Sequence, residues 1–327
     1  MTAQTSVLLA NLGSLDVTLA AAAEVEAAGL DRVWLAETSG PDPLLAAALI
    51  AREHDRRTHL EVVPVWSRTP AVLAAAAADI AAIGRRRPFH LGLGAGGQAI
   101  VERWHGLDFA GSVERVADTI AILRQALAGE RTAHHGDRAR SEGFRLSSPP
   151  CAGDVDLYVG GMGPRMLDLA GRVADGLILS WSPARDVPAR LAALRDGAVA
   201  SGRSAQVRLV TRVYAAVTDD PAAARKGVRT ELVEYLASPP YARWFRSIGF
   251  DEEVDAVAAA FAARDRAASA AAISDRMVDD LLIAGDAATV LEGIAAYAQA
   301  GADDVMVQPV PPERGGDVPA TIAALGR

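Results

Sequence analysis

Short apolar segments alternate with longer helix-forming segments from one end of this 327-residue chain to the other. The apolar segments have the length of β-strands, and each is followed by an Ala-rich or amphipathic stretch long enough for an α-helix. Strict alternation predicts a parallel sheet, because parallel neighbours need a long crossover between them. Eight such units in a chain of this length favour a closed α/β barrel, the (β/α)8 TIM barrel, over a doubly wound open sheet.

The predicted elements extend along the whole chain, so we expect a single domain over residues 1–327. Predicted strands span residues 6–12, 32–35, 59–65, 88–93, 156–159, 176–180, 207–217 and 304–308. Predicted helices span residues 16–28, 43–55, 70–83, 113–128, 164–172, 186–200, 221–236 and 317–325. Two insertions interrupt the repeat, at about residues 131–150 and 238–285. Long insertions in a compact domain are usually functional or packing segments.

The composition argues against several classes of function. The formal net charge is −8, and the one basic run, residues 85–87, is interpreted as a solvated turn, so we expect no nucleic-acid partner. The six histidines form no HxH or HExxH pattern and GxSxG is absent, so neither a metal site nor a serine hydrolase is expected. Cys151 is the single cysteine, and the chain shows no signal peptide or membrane-spanning apolar stretch, which predicts a cytoplasmic protein.

Residues 157–180 predict a strand, a glycine-rich turn, a helix and a second strand. The turn contains Gly160, Gly161 and Gly163, and a proline follows where the helix would start. Glycines let backbone N–H groups approach an anion closely, and the positive end of the helix dipole faces the same point. The segment therefore predicts a phosphate-binding cradle, which Gly160→Val is expected to block. The alternative is that Gly160 and Gly161 only turn the chain.

A second glycine-rich segment, residues 92–97, has the GxGxxG spacing of a dinucleotide fingerprint. That fingerprint belongs after the first strand of a βαβ unit, whereas this segment follows the fourth predicted strand. We therefore interpret it as a barrel loop whose small residues allow a flat ring system to lie against the backbone. Barrel active sites are built from such loops after the strands.

Five motifs occur in order along the chain, at residues 28–37, 68–74, 84–94, 104–106 and 158–180. Together they resemble the bacterial luciferase-like superfamily over about residues 6–308. Within it they are most similar to the coenzyme F420-dependent oxidoreductases related to methylenetetrahydromethanopterin reductase. The resemblance implies a (β/α)8 barrel that holds F420, or FMN, at the carboxyl ends of its strands. It also implies a small-molecule substrate and a homodimer.

The resemblance assigns cofactor-binding residues as well. The phosphate is expected at Gly160, Gly161, Met162, Gly163 and Arg165. The ring is expected among Glu37, Thr38, Glu61, Val62, Gly94, Ala95, Gly96 and Gln98. Members often have a non-prolyl cis peptide that forms a bulge behind the ring, and by alignment it would fall at Glu61-Val62. The alternative is that Glu61 is an ordinary residue entering the strand.

Departures from the family pattern limit the choice of substrate. Many F420-dependent members carry Asp-His where this chain has Glu37 and Thr38, and in the sugar-phosphate dehydrogenase branch that His is an acid or base. The same branch has a Glu at the position of Ala95 and a substrate-phosphate Lys near Pro183, so a glucose-6-phosphate dehydrogenase is not expected. Glu37 is the candidate catalytic residue, as a proton donor or a hydrogen-bond partner of the ring. The alternatives for Glu37 are a helix cap or an arginine partner.

The function predicted on this basis is hydride transfer between F420 and a small organic substrate, with the protein orienting the reactants and excluding water. Trp66, Trp181 and Tyr241 are candidate walls of the substrate pocket, although aromatic residues pack equally well in a core or an interface. Two alternatives stay open. One is an FMN-dependent monooxygenase that uses reduced flavin and O2, and the other is a flavin- or deazaflavin-binding protein without catalysis.

Overall fold

The computed structural model describes residues 3–54, 57–84 and 88–326, and the basic run at 85–87 lies outside them. The strands found there are β1 Gln4–Leu9, β2 Arg32–Leu35, β3 Arg57–Pro64, β4 Phe89–Gly94, β5 Ala133–His135, β6 Arg140–Glu142, β7 Val155–Gly160, β8 Gly176–Leu179, β9 Arg208–Val217, β10 Leu282–Gly285 and β11 Asp304–Pro309. The α-helices are α1 Leu15–Ala27, α2 Pro43–Glu53, α3 Pro70–Ile83, α4 Gln98–Arg103, α5 Ser112–Leu127, α6 Pro164–Val173, α7 Val187–Ala200, α8 Pro221–Leu236, α9 Pro239–Ser247, α10 Asp251–Ala262, α11 Arg266–Ala271, α12 Asp275–Leu281, α13 Ala287–Gln299 and α14 Val318–Leu325. Among these described helices, none has both the length and the apolar character needed to cross a bilayer.

Eight of the strands form a closed parallel barrel. Around the barrel the order is β1, β2, β3, β4, β7, β8, β9 and β11, and β11 pairs with β1 to close the ring. Every one of these pairings is parallel. The (β/α)8 barrel predicted from the alternation is therefore confirmed. The eight predicted strands correspond to these eight, with ends that differ by at most three residues.

The seventh unit of the barrel departs from the prediction. The helix predicted after the seventh strand is present as α8, but it packs on β10, α9 and α11. The outer helix between β9 and β11 is α13, which packs against both strands and against α14. The sequence predicted the helix at residues 221–236 correctly, but it did not indicate which surface the helix covers. Its Asp220 cap and Pro221 are strong signals for a helix start only.

The inserted segments carry secondary structure of their own. Residues 131–150 contain the β5–β6 hairpin, which packs against α5. Residues 238–285 contain α9 to α12 and the short strand β10. β10 pairs with residues 214–217 of β9, beyond the point where β8 stops pairing at Thr211. The long strand β9 thus joins the barrel and the second insertion.

The lower end of the barrel interior, where the strands begin, is buried but polar. The hydroxyl of Ser6 donates to Asp304 at 2.7 Å, and Arg32 donates to the same carboxylate at 3.2 Å. The rings of His59 and His90 stack with centroids 4.1 Å apart, and Nδ1 of His59 accepts the backbone N–H of His90 at 3.0 Å. In the part of the chain that the structure describes, these side chains belong to no group of three or more potential metal ligands.

Both buried histidines favour the neutral form. Burial lowers the pKa of His59 well below its ordinary value, and the neighbouring His90 and Arg32 lower it further. A proton on Nδ1 of His59 would also oppose the N–H group that His90 donates to it. Burial lowers the pKa of His90 as well, although Asp156 partly opposes that shift. Just below the ordinary pKa of histidine, the folded chain therefore binds fewer protons than the unfolded chain.

We predict that the free energy of unfolding decreases as the pH falls below about 6.5, the pKa of histidine in an unfolded chain. Each buried histidine contributes a slope of up to about 1.4 kcal/mol per pH unit. His59→Gln keeps an acceptor for the His90 N–H and removes one titration, so the slope should become shallower. Urea unfolding at a series of pH values measures it, with the exposed His105→Gln as the matched control. An unchanged slope in the His59 variant would contradict the assignment.

Candidate active site

The carboxyl ends of the eight parallel strands meet at one end of the barrel, the end where barrel enzymes carry their active sites. Three small apolar side chains, Ala10, Ala36 and Val62, lie there partly exposed. They pack on a buried inner layer that consists of Leu8, Trp34, Tyr158, Ile178, Val210 and Met306. The mouth of the barrel thus has an apolar floor, formed by Ala10, Ala36 and Val62, which suits one face of a planar ring.

Val62 occupies space that glycines on two neighbouring strands leave open. The Glu61-Val62 peptide is cis, which confirms the prediction, and it coincides with a register shift between β3 and β4. A Cβ added at Gly160 would come within 2.4 Å of Cγ1 of Val62, and one at Gly94 within 2.7 Å of Cγ2. Gly160 is therefore required for packing. Gly160→Val would disturb this contact whether or not a phosphate binds, so it does not test the cradle.

The predicted phosphate cradle lies between β7 and α6. Gly163 is the N-cap residue of α6, and it has an extended backbone and no side-chain cap. A Cβ added at Gly163 would have no atom within 4 Å, so the space beside it is open. Arg165, in the first turn, is largely exposed and pairs with Glu114 of α5. An uncapped helix end, open space and a nearby guanidinium are features that favour binding of a phosphate group.

The other predicted cradle residues have neighbours within the protein. The N–H of Gly161 donates to the carbonyl of Ile178 at 3.1 Å, and a Cβ at Gly161 would lie 2.5 Å from Cβ of Met166. Met162 is partly buried and packs against the core. Of the five residues predicted for the phosphate, Gly163 and Arg165 are therefore the two that border open space.

The predicted ring-binding loop after β4 is braced by Trp66. Gly94 ends the strand, Gly96 has a φ of 68° that glycine adopts readily, and Gln98 begins α4. Nε1 of Trp66 donates to the carbonyl of Ala95 at 2.8 Å. The loop is thus held in place from the protein side.

Trp66 itself is a packing residue in this structure. It is 8% exposed, its ring stacks on Phe109 with centroids 5.9 Å apart, and the guanidinium of Arg115 lies 4.3 Å from its ring centroid. These partners differ from those of Trp181 and Tyr241, with which it was grouped from the sequence. Its role as a wall of the substrate pocket stays a prediction.

Glu37 and Thr38 follow β2. The carboxylate of Glu37 pairs with the guanidinium of Arg68, which also donates to Asp42, the cap of α2, at 2.5 Å. Burial alone would lower the pKa of Arg68, but the two carboxylates outweigh it and raise that pKa. The hydroxyl of Thr38 accepts the N–H of Gly40 at 3.3 Å. Glu37 therefore has an arginine partner, which was one of the alternatives stated from the sequence. Its role as a proton donor stays a prediction.

Trp181 and Tyr241 belong to one aromatic cluster. Trp181 has a φ of 51°, and its ring stacks on Tyr214 with centroids 4.1 Å apart. Tyr235 meets Trp181 edge-on at 5.0 Å and Tyr241 edge-on at 4.7 Å. Nε1 of Trp244 donates to the carbonyl of Trp181 at 2.8 Å, which fastens α9 to the end of β8. Trp181, Tyr214, Tyr235 and Tyr241 form what we term the aromatic wall, on the β8–β9 side of the mouth.

A buried carboxyl group and a largely buried guanidinium lie together inside the barrel, Glu61 on β3 and Arg212 on β9. Oε1 of Glu61 accepts from the hydroxyl of Ser180 at 3.3 Å and from Nη1 of Arg212 at 3.4 Å. Arg212 also donates to Oε1 of Gln308 at 2.7 Å and to the hydroxyl of Tyr214. Sequence reasoning missed Ser180, Arg212 and Gln308. The available signal was Arg212, a charged residue in the middle of a largely apolar strand.

Burial controls the protonation of this pair. It raises the pKa of Glu61 above its ordinary value, and the charge of Arg212 and the hydrogen bond from Ser180 only partly oppose the shift. Burial alone would lower the pKa of Arg212, but Tyr214 and Glu61 outweigh it and raise that pKa further. Arg212 is shared among three oxygen acceptors. Its charge therefore holds Glu61 in the carboxylate form less firmly than an exclusive, short ion pair would.

Comparison with known proteins is consistent with this geometry. A family model described as luciferase-like monooxygenase matches residues 2–304 of the chain. The chain belongs to this family. The luciferase-like assignment covers both glycine-rich loops, the floor of the mouth and the second insertion.

Relatives of this luciferase-like protein include F420-dependent enzymes. It is 28% identical to a Mycobacterium tuberculosis protein provisionally named a coenzyme F420-dependent oxidoreductase, over 87% of this chain and 88% of the relative. It is 26% identical to 5,10-methylenetetrahydromethanopterin reductase of Archaeoglobus fulgidus, over 88% of both chains. The solved F420-dependent tetrahydromethanopterin reductase from Methanopyrus kandleri superposes with a TM-score of 0.85 and 20% identity, over 100% of this chain and 98% of that one. At that identity, the superposition shows a shared fold.

We predict that Gly160→Ala destabilises the protein by about 1–3 kcal/mol, because the added methyl group overlaps the Val62 side chain. Val62→Ala should relieve that overlap. In a double-mutant cycle measured by urea unfolding, the double variant should be more stable than the sum of the single effects predicts, by at least about 0.5 kcal/mol. Gly153→Ala, in an exposed turn where the added methyl group meets no atom within 4 Å, is the control and should leave stability unchanged. Additive effects at 160 and 62 would contradict the contact.

Proposed function

We propose that this protein is an F420-dependent oxidoreductase that transfers a hydride between the deazaflavin coenzyme and a small organic substrate. The observation that carries the proposal is the open, uncapped start of α6 at Gly163, at the same end of the barrel as the apolar floor. A phosphate and a planar ring can then be held at one mouth. The name of the Mycobacterium tuberculosis relative supports F420 as the ligand.

The residues present fit such a cofactor at both of its ends. Gly163 and Arg165 would hold the phosphate together with the first amides of α6, and Ala36, Val62 and Gly94 would lie against the ring. When bound, F420 supplies or accepts the hydride at C5 of its ring. The protein's own contribution is to position the substrate against that ring and to exclude water.

The aromatic wall is the part of the mouth that we assign to the substrate. Tyr235 and Tyr241 are its partly exposed rings. Trp181 and Tyr214 are buried beneath them, and the hydroxyl of Tyr214 donates to Glu231 at 2.9 Å, which fixes the orientation of the ring that stacks on Trp181. A small substrate with an electron-poor C=C, C=N or C=O group would be enclosed between this wall and the cofactor ring.

We further propose that the protein acts in the cytoplasm as a homodimer. Light scattering of the purified protein tests the dimer.

FMN-dependent monooxygenation is the second candidate, because the family's description names a monooxygenase. F420 and FMN both have a flat ring and a phosphate, so the floor and the cradle accommodate either one. Titration of the purified protein with each cofactor in the same buffer separates the two functions. The proposal predicts tighter binding of F420, and a preference for FMN would favour the monooxygenase.

We predict that Gly163→Val weakens F420 binding at least about tenfold, a loss of about 1.4 kcal/mol. Loss of the glycine N-cap costs about 1 kcal/mol of stability, so the variant stays folded. A branched side chain fits the extended backbone and open space at Gly163, but it would fill the room that the phosphate needs. Fluorescence titration with F420 gives the affinity. Gly153→Val is the matched control, because Gly153 lies in an exposed turn before β7 and also has no atom within 4 Å. Equal affinities in the two variants would overturn the cradle.

A further inference from the structure

Glu61 has an unusual environment for a carboxyl group. The residue is 5% exposed, and it lies on β3 at the cis peptide that borders the floor of the mouth. Its Oε1 has two donors, but its Oε2 is buried and has no hydrogen-bond partner within the described structure. A buried polar atom without a partner is costly, so it marks a position where a further group is expected to bind.

The groups that face Glu61 come from several elements. Ser180 at the end of β8 donates to it, Arg212 of β9 is its cationic neighbour, and Tyr241 of α9 is close enough for Glu61 to affect the pKa of its hydroxyl. Gln308 of β11 accepts a hydrogen bond from Arg212 and so influences Glu61 indirectly. The pair is therefore enclosed by residues of the barrel and by one ring of the aromatic wall, on the side that we assign to the substrate.

We propose that Glu61 is a catalytic residue that exchanges a proton with the substrate through Oε2, with Ser180 and Arg212 as its positioning residues. This inference rests on the proposed function, because it takes the hydride from F420. Two observations favour Glu61 over Glu37 for this role. Oε2 of Glu61 has no partner, whereas Glu37 is bound to Arg68. The raised pKa of Glu61 also favours a carboxylic acid that has a proton to give.

The proton and electron balance of the step is complete. In the direction of reduction, the electrophilic atom of the substrate gains a hydride with its electron pair from the reduced coenzyme. The electron pair of the substrate double bond moves to the second atom, which takes the proton from Glu61. Glu61 is left as a carboxylate beside Arg212 and is reprotonated from solvent, while the second proton of the reduced coenzyme is released. The substrate gains two hydrogens and the coenzyme loses two.

The chain contains a matched control for this acid. Glu253 of α10 is also buried, and its Oε1 accepts from the hydroxyl of Ser274 and from Nη2 of Arg276, the latter at 3.4 Å. It therefore has the same two kinds of partner as Glu61, but it lies in the second insertion, where α9, α11 and α12 adjoin its helix in the chain. Glu61→Gln and Glu253→Gln replace the same functional group, a buried carboxyl group with one hydroxyl and one arginine partner.

The first test needs no substrate. Infrared difference spectra at pH 7 compare the F420-loaded wild type with F420-loaded Glu61→Gln, so that the contribution of the buried Asp304 cancels. We expect a carboxylic-acid C=O band that is present in the wild type, lost in Glu61→Gln and kept in Glu253→Gln. Absence of that band from the wild-type spectrum would overturn the proposal. If Glu61→Gln does not fold, Glu61→Asp replaces it, since it keeps the acid and shifts the band.

The second test measures turnover. For the first compound of an enone and imine panel that the wild type reduces with reduced F420, Glu61→Gln should lower kcat about 10²- to 10⁴-fold, measured at saturating F420 so that any change in cofactor affinity does not contribute. Glu61→Asp should recover part of the rate, and Glu253→Gln should behave as the wild type. A Glu61→Gln variant with the wild-type kcat would overturn the acid role. Failure of the wild type to bind F420 would instead overturn the proposed function, so the two failures are distinguishable.

Discussion

Closure of the parallel barrel is the constraint on which the rest of this structure depends. β11 pairs with β1 on one side and with β9 on the other, so the ring of strands has no open edge. Because all eight strands run in the same direction, their carboxyl ends form one mouth. Glu61 and Arg212 meet there although they are 151 positions apart in sequence. The chemistry proposed for this protein is possible only because the ring is closed.

The interior of that ring changes character along its axis. At the base, ion pairs and stacked histidines are buried, and they stabilise the fold as long as the histidines stay neutral. The middle layer is filled with large side chains such as Trp34 and Tyr158. The top layer ends in alanine, valine and glycine, and these leave room above them. Packing therefore stabilises the lower two layers. The small residues of the upper layer make fewer contacts and leave a surface on which a planar ring can lie.

Much of the fold could be predicted from the sequence, because each barrel strand is short, apolar and followed by a helix signal. The helix α8 was predicted at residues 221–236, but its position outside the barrel wall was not, because the surface that a helix covers depends on tertiary packing. In the site, the cis peptide at Glu61-Val62 followed from the family resemblance. The identity of the arginine partners of Glu37 and Glu61 did not, because Arg68 lies after β3 and Arg212 lies within β9, and only the folded barrel brings them close to the two carboxylates. The packing role of Gly160 could not be predicted from the sequence either, because it depends on where the side chain of Val62 lies in the folded barrel.

The most direct test of the central claim is a crystal structure of the protein with F420 bound. We predict that the phosphate lies within hydrogen-bond distance of the first amides of α6 at Gly163, and that the ring lies on the floor beside Val62. We also predict that Oε2 of Glu61 borders the space left between the ring and the aromatic wall. A coenzyme bound outside the mouth, with no contact to α6 or to Val62, would contradict the account.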